Sequence, residues 1–222
     1  MMGDDRVLLA VLGRGIQKTG EKWEPTGDFE VFRKDQDGRM VHSATPISDN
    51  DDDENCLIGG GKLNVEAAAL LLRRTKMRCV LGYAPPAPYL RSLGGPSESL
   101  PMGKLLRSLV PGADINDWKD GLESEKSNTI VEVNNVMKLA GQIGIKEVRF
   151  LTISPHVPRV TLIAQKAPKE QAVKFTVESS ETIISTLEPA SRTRIARIQQ
   201  SKAYRRTVAA ENVGISTLLT EW

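Results

Sequence analysis

Residues 146–159, KEVRFLTISPHVPR, constrain the fold of this chain more than any other stretch. Positions 148–153 form a short apolar run, with charge before it and Pro155 after it. That is the pattern of a core strand in a parallel sheet covered on both faces. The run leads directly into a polar turn carrying Thr152, Ser154, His156 and Arg159. In open α/β sheets ligands gather beyond the carboxyl ends of such strands. One of the chain's 2 histidines therefore stands where chemistry is expected. The competing reading is that His156 and Arg159 only begin the next helix and face solvent.

The rest of the chain supplies further strands and the helices between them. Residues 7–12, VLLAVL, read as a first buried strand ending at the turn Gly13-Arg14-Gly15, where glycine lets the backbone approach a ligand or turn a corner. Two short runs, 29–32 and 40–43, flank Asp35-Gln36-Asp37-Gly38 and predict a hairpin inserted after that strand, spanning about residues 28–44. The acidic run 48–55 reads as a solvated loop. Gly59-Gly60-Gly61 precedes the helical pattern 63–74 and reads equally as an anion-binding helix start or as a flexible linker.

Residues 78–82, RCVLG, form the second core strand, followed by a proline-rich loop. Ser97 is placed to cap a helix over 102–109, with Glu98 in its first turn. A weak edge strand surrounds Ile115. Ser127-Asn128-Thr129 looks like the start of a helix whose apolar positions run from Ile130 to about Gly141, with Glu132 in its first turns. After the strand at 148–153 come a short helix at 160–164, a strand at 172–177 and a helical tail over about 182–222. The basic part of that tail, 192–206, reads as a surface helix with a solvated face. This alternation predicts one α/β unit over 1–222: a Rossmann-like three-layer fold with a mainly parallel sheet and a β-hairpin insertion after the first strand.

Composition narrows the partners. The net charge of +2 gives no electrostatic reason to expect nucleic acid, and 5% aromatics are too few for a base-stacking surface. No run approaches the roughly 18 apolar residues of a membrane span. Cys56 and Cys79 lack companions at metal-ligand spacing, and Cys79 lies within a strand pattern as a buried thiol. MMGDDR is unlike a secretory signal. A cytoplasmic protein is expected.

With a parallel sheet, the turns after the strands share one edge. Gly13, Arg14, Gly15, Glu98, Asn128, Thr129, Glu132, Thr152, Ser154, His156 and Arg159 then face a common cleft. Such a set suits an anionic or nucleotide-like ligand. Backbone N–H groups and Arg159 hold its charge, a carboxylate takes ribose or acts as base, and His156 serves as acid or base. A serine-type triad is not expected, because no nucleophile elbow is present.

These residues resemble the YdcF/SanA/ElyC-like family over roughly residues 6–166, the hairpin excepted. Four pieces carry the likeness: VLLAVLGRG; NVEAAALLLRR followed by CVLGY; Ser97-Glu98 with Glu123, Ser127-Asn128-Thr129 and Glu132; and FLTISPHVPR. The chain departs from the family where Gly82-Tyr83 stands for a double glycine and where Lys62 and Asn64 stand near the place of an arginine on the first helix. The resemblance implies a Rossmann-like fold with a pocket at the strand ends. It also implies Glu98, Asn128, Thr129, Glu132, His156 and Arg159 as the matched polar positions, in a member without the membrane anchor of the envelope branches. By the same resemblance S-adenosylmethionine is a candidate ligand, and a divalent metal is a candidate cofactor beside the carboxylates. The expected activity is a hydrolase or transferase acting on a phosphate-containing substrate, with His156, Glu98 and Glu132 catalytic. The rival expectation is a non-catalytic protein-binding module using the hairpin and the acidic loop. A methyltransferase proper fits less well, because Gly13-Arg14-Gly15 and Gly82-Tyr83 lack its motifs.

Overall fold

The computed structural model describes residues 6–34, 40–42, 55–116, 126–167 and 173–221. The chain begins with strand β1 (Val7–Val11), then the hairpin β2 (Ile16–Thr19) and β3 (Lys22–Pro25), then β4 (Phe29–Lys34), β5 (Met40–His42) and β6 (Cys56–Ile58). Helix α1 (Gly61–Leu72) leads to β7 (Arg78–Leu81), α2 (Pro88–Ser92), α3 (Ser99–Leu109) and β8 (Ile115–Asn116). Next come α4 (Thr129–Gln142), β9 (Glu147–Thr152), a 3₁₀ turn at Ser154–His156, α5 (Val157–Lys166), β10 (Lys174–Ser179) and α6 (Ser180–Leu187). Helices α7 (Arg192–Gln200) and α8 (Lys202–Glu221) complete the described chain.

The main sheet has five parallel strands in the order β10-β9-β1-β7-β8. It is the expected Rossmann-like three-layer arrangement. The apolar runs have no polar face because both sides of the sheet are covered. Leu9, Val11, Cys79, Leu81 and Leu151 pack under α1, α3, α6 and α7. Leu8, Ala10, Val80, Val148 and Phe150 pack under α4 and α5. Full burial of side chains such as Leu9 and Phe150 stabilises the fold by roughly 1.5–3 kcal/mol each.

Strand order reverses between β1 and β9. The chain steps outward from β1 through β7 to β8, then returns to the other side of β1 for β9 and β10. The crevice at such a reversal is where ligands bind in sheets of this type. Two backbone bonds, Leu12 N–H to Leu151 O at 3.1 Å and Gly82 N–H to Val11 O at 2.8 Å, and one from a side chain, Asn64 Nδ2–H to Leu12 O at 2.9 Å, align the strand ends there.

The insertion after β1 holds two antiparallel units, the β2–β3 hairpin and the sheet β5-β4-β6. The sequence pattern showed the second and missed the first. The Asp35–Gly38 turn, most of the acidic loop and Glu123 lie outside the described residues. Gly59-Gly60-Gly61 is neither an anion site nor a loose linker. The N–H groups of Gly60, Gly61 and Lys62 are bound by Gly27 O, Thr26 Oγ1 and Thr26 O. A Cβ on Gly61 would come within 2.8 Å of Gly15 O, so glycine is there to let α1 touch the turn after β1.

Two further expectations change. Ser97 does not cap α3; its hydroxyl donates to Ala84 O at 2.8 Å, and Glu98 occupies the cap position. The basic tail has its expected solvated face, with Arg192, Arg197, Lys202 and Arg205 exposed, but it also has a buried one. Ile195, Ile198, Ala203, Thr207, Glu211 and Leu218 are buried, and Arg194 pairs with Asp28 and Glu66. Among the described residues no helix is long and apolar enough to cross a membrane.

Candidate functional site

The turn Leu12–Gly15 leaves the end of β1 at the strand-order reversal, and two carboxylates from other elements close on it. Gly13 N–H donates to Glu132 Oε1 at 2.9 Å, and Gly15 N–H donates to Glu98 Oε2 at 2.8 Å. Glu98 stands at the start of α3 and Glu132 in the first turn of α4, so both helices aim an acid at the same turn. A side chain on Gly13 would collide with both carboxyl groups. These amides are therefore occupied by protein carboxylates and do not cradle a ligand phosphate, contrary to the usual use of glycines after a first strand.

Beside this turn lies a cleft of about 240 Å³. Its walls include Glu30, Tyr89, Glu98, Asn128, Thr129 and Glu132. Asn128 caps α4, its Oδ1 accepting from Val131 N–H at 3.0 Å. That bond orients the first turn so that Thr129 faces the cleft wall. Asn135 on the same helix donates to Tyr83 O at 2.9 Å and ties α4 to the loop after β7.

Charge within the cleft is asymmetric. Burial first, and then the neighbouring Glu98 charge, push the Glu132 carboxyl well above the usual carboxylate range, against the bond from Gly13. Burial, with Glu98 and Glu30 adding to it, also raises the Tyr89 phenol. The cleft thus holds one carboxyl group whose proton is held more tightly than usual, beside further carboxylates.

His156 lies behind Thr129, 1% exposed, with Nε2 at 3.2 Å from Thr129 Oγ1. Its other nitrogen, Nδ1, is 2.8 Å from Oε2 of Glu211, which comes from α8. Glu211 also meets Arg14 Nη1 at 3.2 Å and Arg159 Nη1 at 3.5 Å. Burial lowers the His156 pKa below its ordinary 6.5; Glu211 works against that shift, and Arg14 and Arg159 add to it. Burial alone would raise Glu211, but the His156 hydrogen bond and the nearby cations hold it at about 2. At neutral pH the ring is neutral and the carboxylate is charged.

The structure brings Gly13, Arg14, Gly15, Glu98, Asn128, Thr129 and Glu132 to the cleft, with His156 directly behind it. It does not bring Thr152, Ser154 or Arg159 there. Thr152 is fully buried, and Ser154 hydrogen-bonds through its N–H to Glu181 Oε2 at 2.8 Å and through its hydroxyl to Ser179. Arg159 lies against Gly214 of α8 and turns its charge to Glu211 instead of to a ligand. Sequence reasoning missed Glu211, Glu30 and Tyr89. A signal for the first was present: Ala203, Thr207, Glu211 and Leu218 recur at helical spacing, with one acid in a stripe of small and apolar residues.

No three His, Cys, Asp or Glu side chains among the described residues are grouped as a metal ion would require. Fold and site together define an open parallel α/β protein with a carboxylate-lined polar cleft at its switch point. No family model, curated protein or solved structure matches this chain.

Proposed function

We propose that this chain is a divergent YdcF-like protein that binds a small nucleotide-like, S-adenosylmethionine-like or phosphorylated ligand in the cleft beside the turn after β1. We further propose that it acts there as a hydrolase or transferase. One observation carries this reading. Two carboxylates from separate helices converge on the Gly13 and Gly15 amides at the strand-order reversal, in a cleft that also meets a hydroxyl backed by histidine. A fold has no packing need for that much buried polarity, and isolated buried carboxyl groups cost stability.

The lining ranks the parts of such a ligand. Glu30 and Glu98 suit ribose hydroxyls or a positive group such as an amine or a sulfonium. A phosphate suits the opposite wall, where α4 begins and its N-terminal dipole favours negative charge. His156, whose pKa burial lowers, is the available base, and Glu132, whose pKa burial raises, is a second group suited to proton transfer.

A thermal-shift panel tests the reading. It holds S-adenosylmethionine, nucleotides, sugar phosphates and polyprenyl phosphate analogues, each with and without magnesium. A ligand at about 100 times its Kd should stabilise wild type by about 2.7 kcal/mol, roughly 5–10 °C for a chain of this size. The shift should shrink in Glu98→Gln. No shift with any compound removes the proposal.

A further inference from the structure

Helix α8, packed on β6, α5 and the turn at Ser154–His156, places a single carboxylate, Glu211, against His156. That 2.8 Å approach lies outside good hydrogen-bond alignment, yet Glu211 is the only charge facing Nδ1 among the described ion pairs, and it bears directly on the chemistry of Thr129. An ionised carboxylate only accepts, so the Nδ1 atom facing it carries the ring's hydrogen. With the ring neutral, Nε2 keeps its lone pair and points it at Thr129 Oγ1, 3.2 Å away. The threonine O–H then donates inward to Nε2, and the oxygen's own lone pairs turn to the cleft it lines. A hydroxyl oxygen in this state has a base at its back and the positive end of α4 beneath it.

We propose that Thr129 is a nucleophile toward a phosphate ester bound in the cleft, with His156 as its base and Glu211 as the residue that positions His156. This rests on the reading that the cleft takes a phosphate-containing ligand. In the first step Thr129 Oγ1 bonds to phosphorus and its proton passes to His156 Nε2. The bond from phosphorus to the leaving oxygen breaks, and that oxygen takes the proton from His156. In the second step water attacks phosphorus after giving a proton to His156. The Thr129–phosphorus bond breaks, phosphate departs, and the proton returns to Thr129. Glu211 stays ionised throughout and faces the imidazolium while it exists. Arg14 meets the other carboxylate oxygen, Oε1, Arg159 shares Oε2 with His156, and no other described ion pair reaches His156.

The test uses diisopropyl fluorophosphate, whose phosphorus loses fluoride, read by intact-mass and peptide mass spectrometry. Wild type should gain one diisopropylphosphoryl group on Thr129. Thr129→Val should gain none, and Thr129→Ser should restore labelling. Glu211→Gln and His156→Gln should label at least about 100-fold more slowly. The wild-type rate should hold a plateau down through pH 6.5 and fall only as His156 takes up a proton. An unlabelled Thr129 in folded wild type overturns the proposal, and so does an adduct elsewhere that persists in Thr129→Val. If the Glu211 and His156 variants do not fold, the two Thr129 variants still decide, because both keep the imidazole pair. Failure of the nucleophile alone would show as a phosphate ester that stabilises wild type and Thr129→Val alike with no adduct formed. A Thr129 adduct on a protein that no phosphate ester stabilises would uphold the nucleophile and remove the ligand class.

Discussion

Glu132 is the residue on which most of the site's electrostatics turn. It is 7% exposed, accepts from Gly13 and sits near Glu98. Its folded pKa is raised, so its contribution to stability is full below the ordinary 4.5 and is lost as pH rises through the higher folded value. Glu132→Gln keeps an oxygen for the Gly13 amide and removes that loss. The variant should be more stable than wild type at pH 8, with the gain disappearing near pH 4, as read by urea denaturation at both pH values. Gly13→Ala works in the opposite direction. Its Cβ would meet the Glu98 and Glu132 carboxyl groups, so one of them must leave the turn. We expect destabilisation of about 1–3 kcal/mol and loss of ligand-induced thermal shift, measured in one melting series.

At the scale of elements, legibility followed local pattern. The stretch 146–159 was readable because a short apolar run between charge and proline has few alternatives to a buried strand, and β9 and its turn lie where that pattern put them. The start of α4 was readable because Asn128 is a capping residue followed by helical spacing, and its side chain does cap Val131 N–H. The β2–β3 hairpin was hidden because Ile16–Thr19 and Lys22–Pro25 carry no sustained alternation. The buried face of helix α8 was misjudged because the basic residues of 192–206 drew the reading to the solvated face, while the helix's contacts come from small and apolar residues. Thr207 shows the cost of that misjudgement: its hydroxyl accepts from Ile58 N–H at 2.9 Å in a buried setting and so fastens α8 to β6. Thr207→Val leaves that amide unsatisfied. The expected loss is about 1–3 kcal/mol by urea denaturation, whereas a freely solvated helix would show none.

For the whole molecule, pH reports whether α8 is docked as described. His156 has a lowered folded pKa, so its contribution is lost as pH falls below 6.5. Glu211 is lowered from 4.5 to about 2, so its contribution is present above 4.5 and disappears between those values. Wild type should lose stability in two acid stages, the second on the order of 2–3 kcal/mol. Glu211→Gln should flatten that second stage in a melting series from pH 7 to pH 2. The sheet order, by contrast, was legible only as a class. Alternating strands and helices imply a parallel sheet, but the reversal between β1 and β9 depends on which face α4 covers, and that is decided by long-range packing against Leu8, Ala10 and Phe150.

The reversal between β1 and β9 is also where the functional account is most exposed. A larger groove of about 340 Å³ lies elsewhere, between Trp23 of the β2–β3 hairpin and Lys104 of α3. Amide chemical shifts recorded during titration with each compound of the thermal-shift panel distinguish the two places. With the ligand in the cleft beside the turn after β1, the stabilising compound moves the amides of Gly13, Gly15, Gly82 and Thr129. Shifts confined to the surroundings of Trp23 and Lys104, or no shifts at saturating concentration, would contradict that placement.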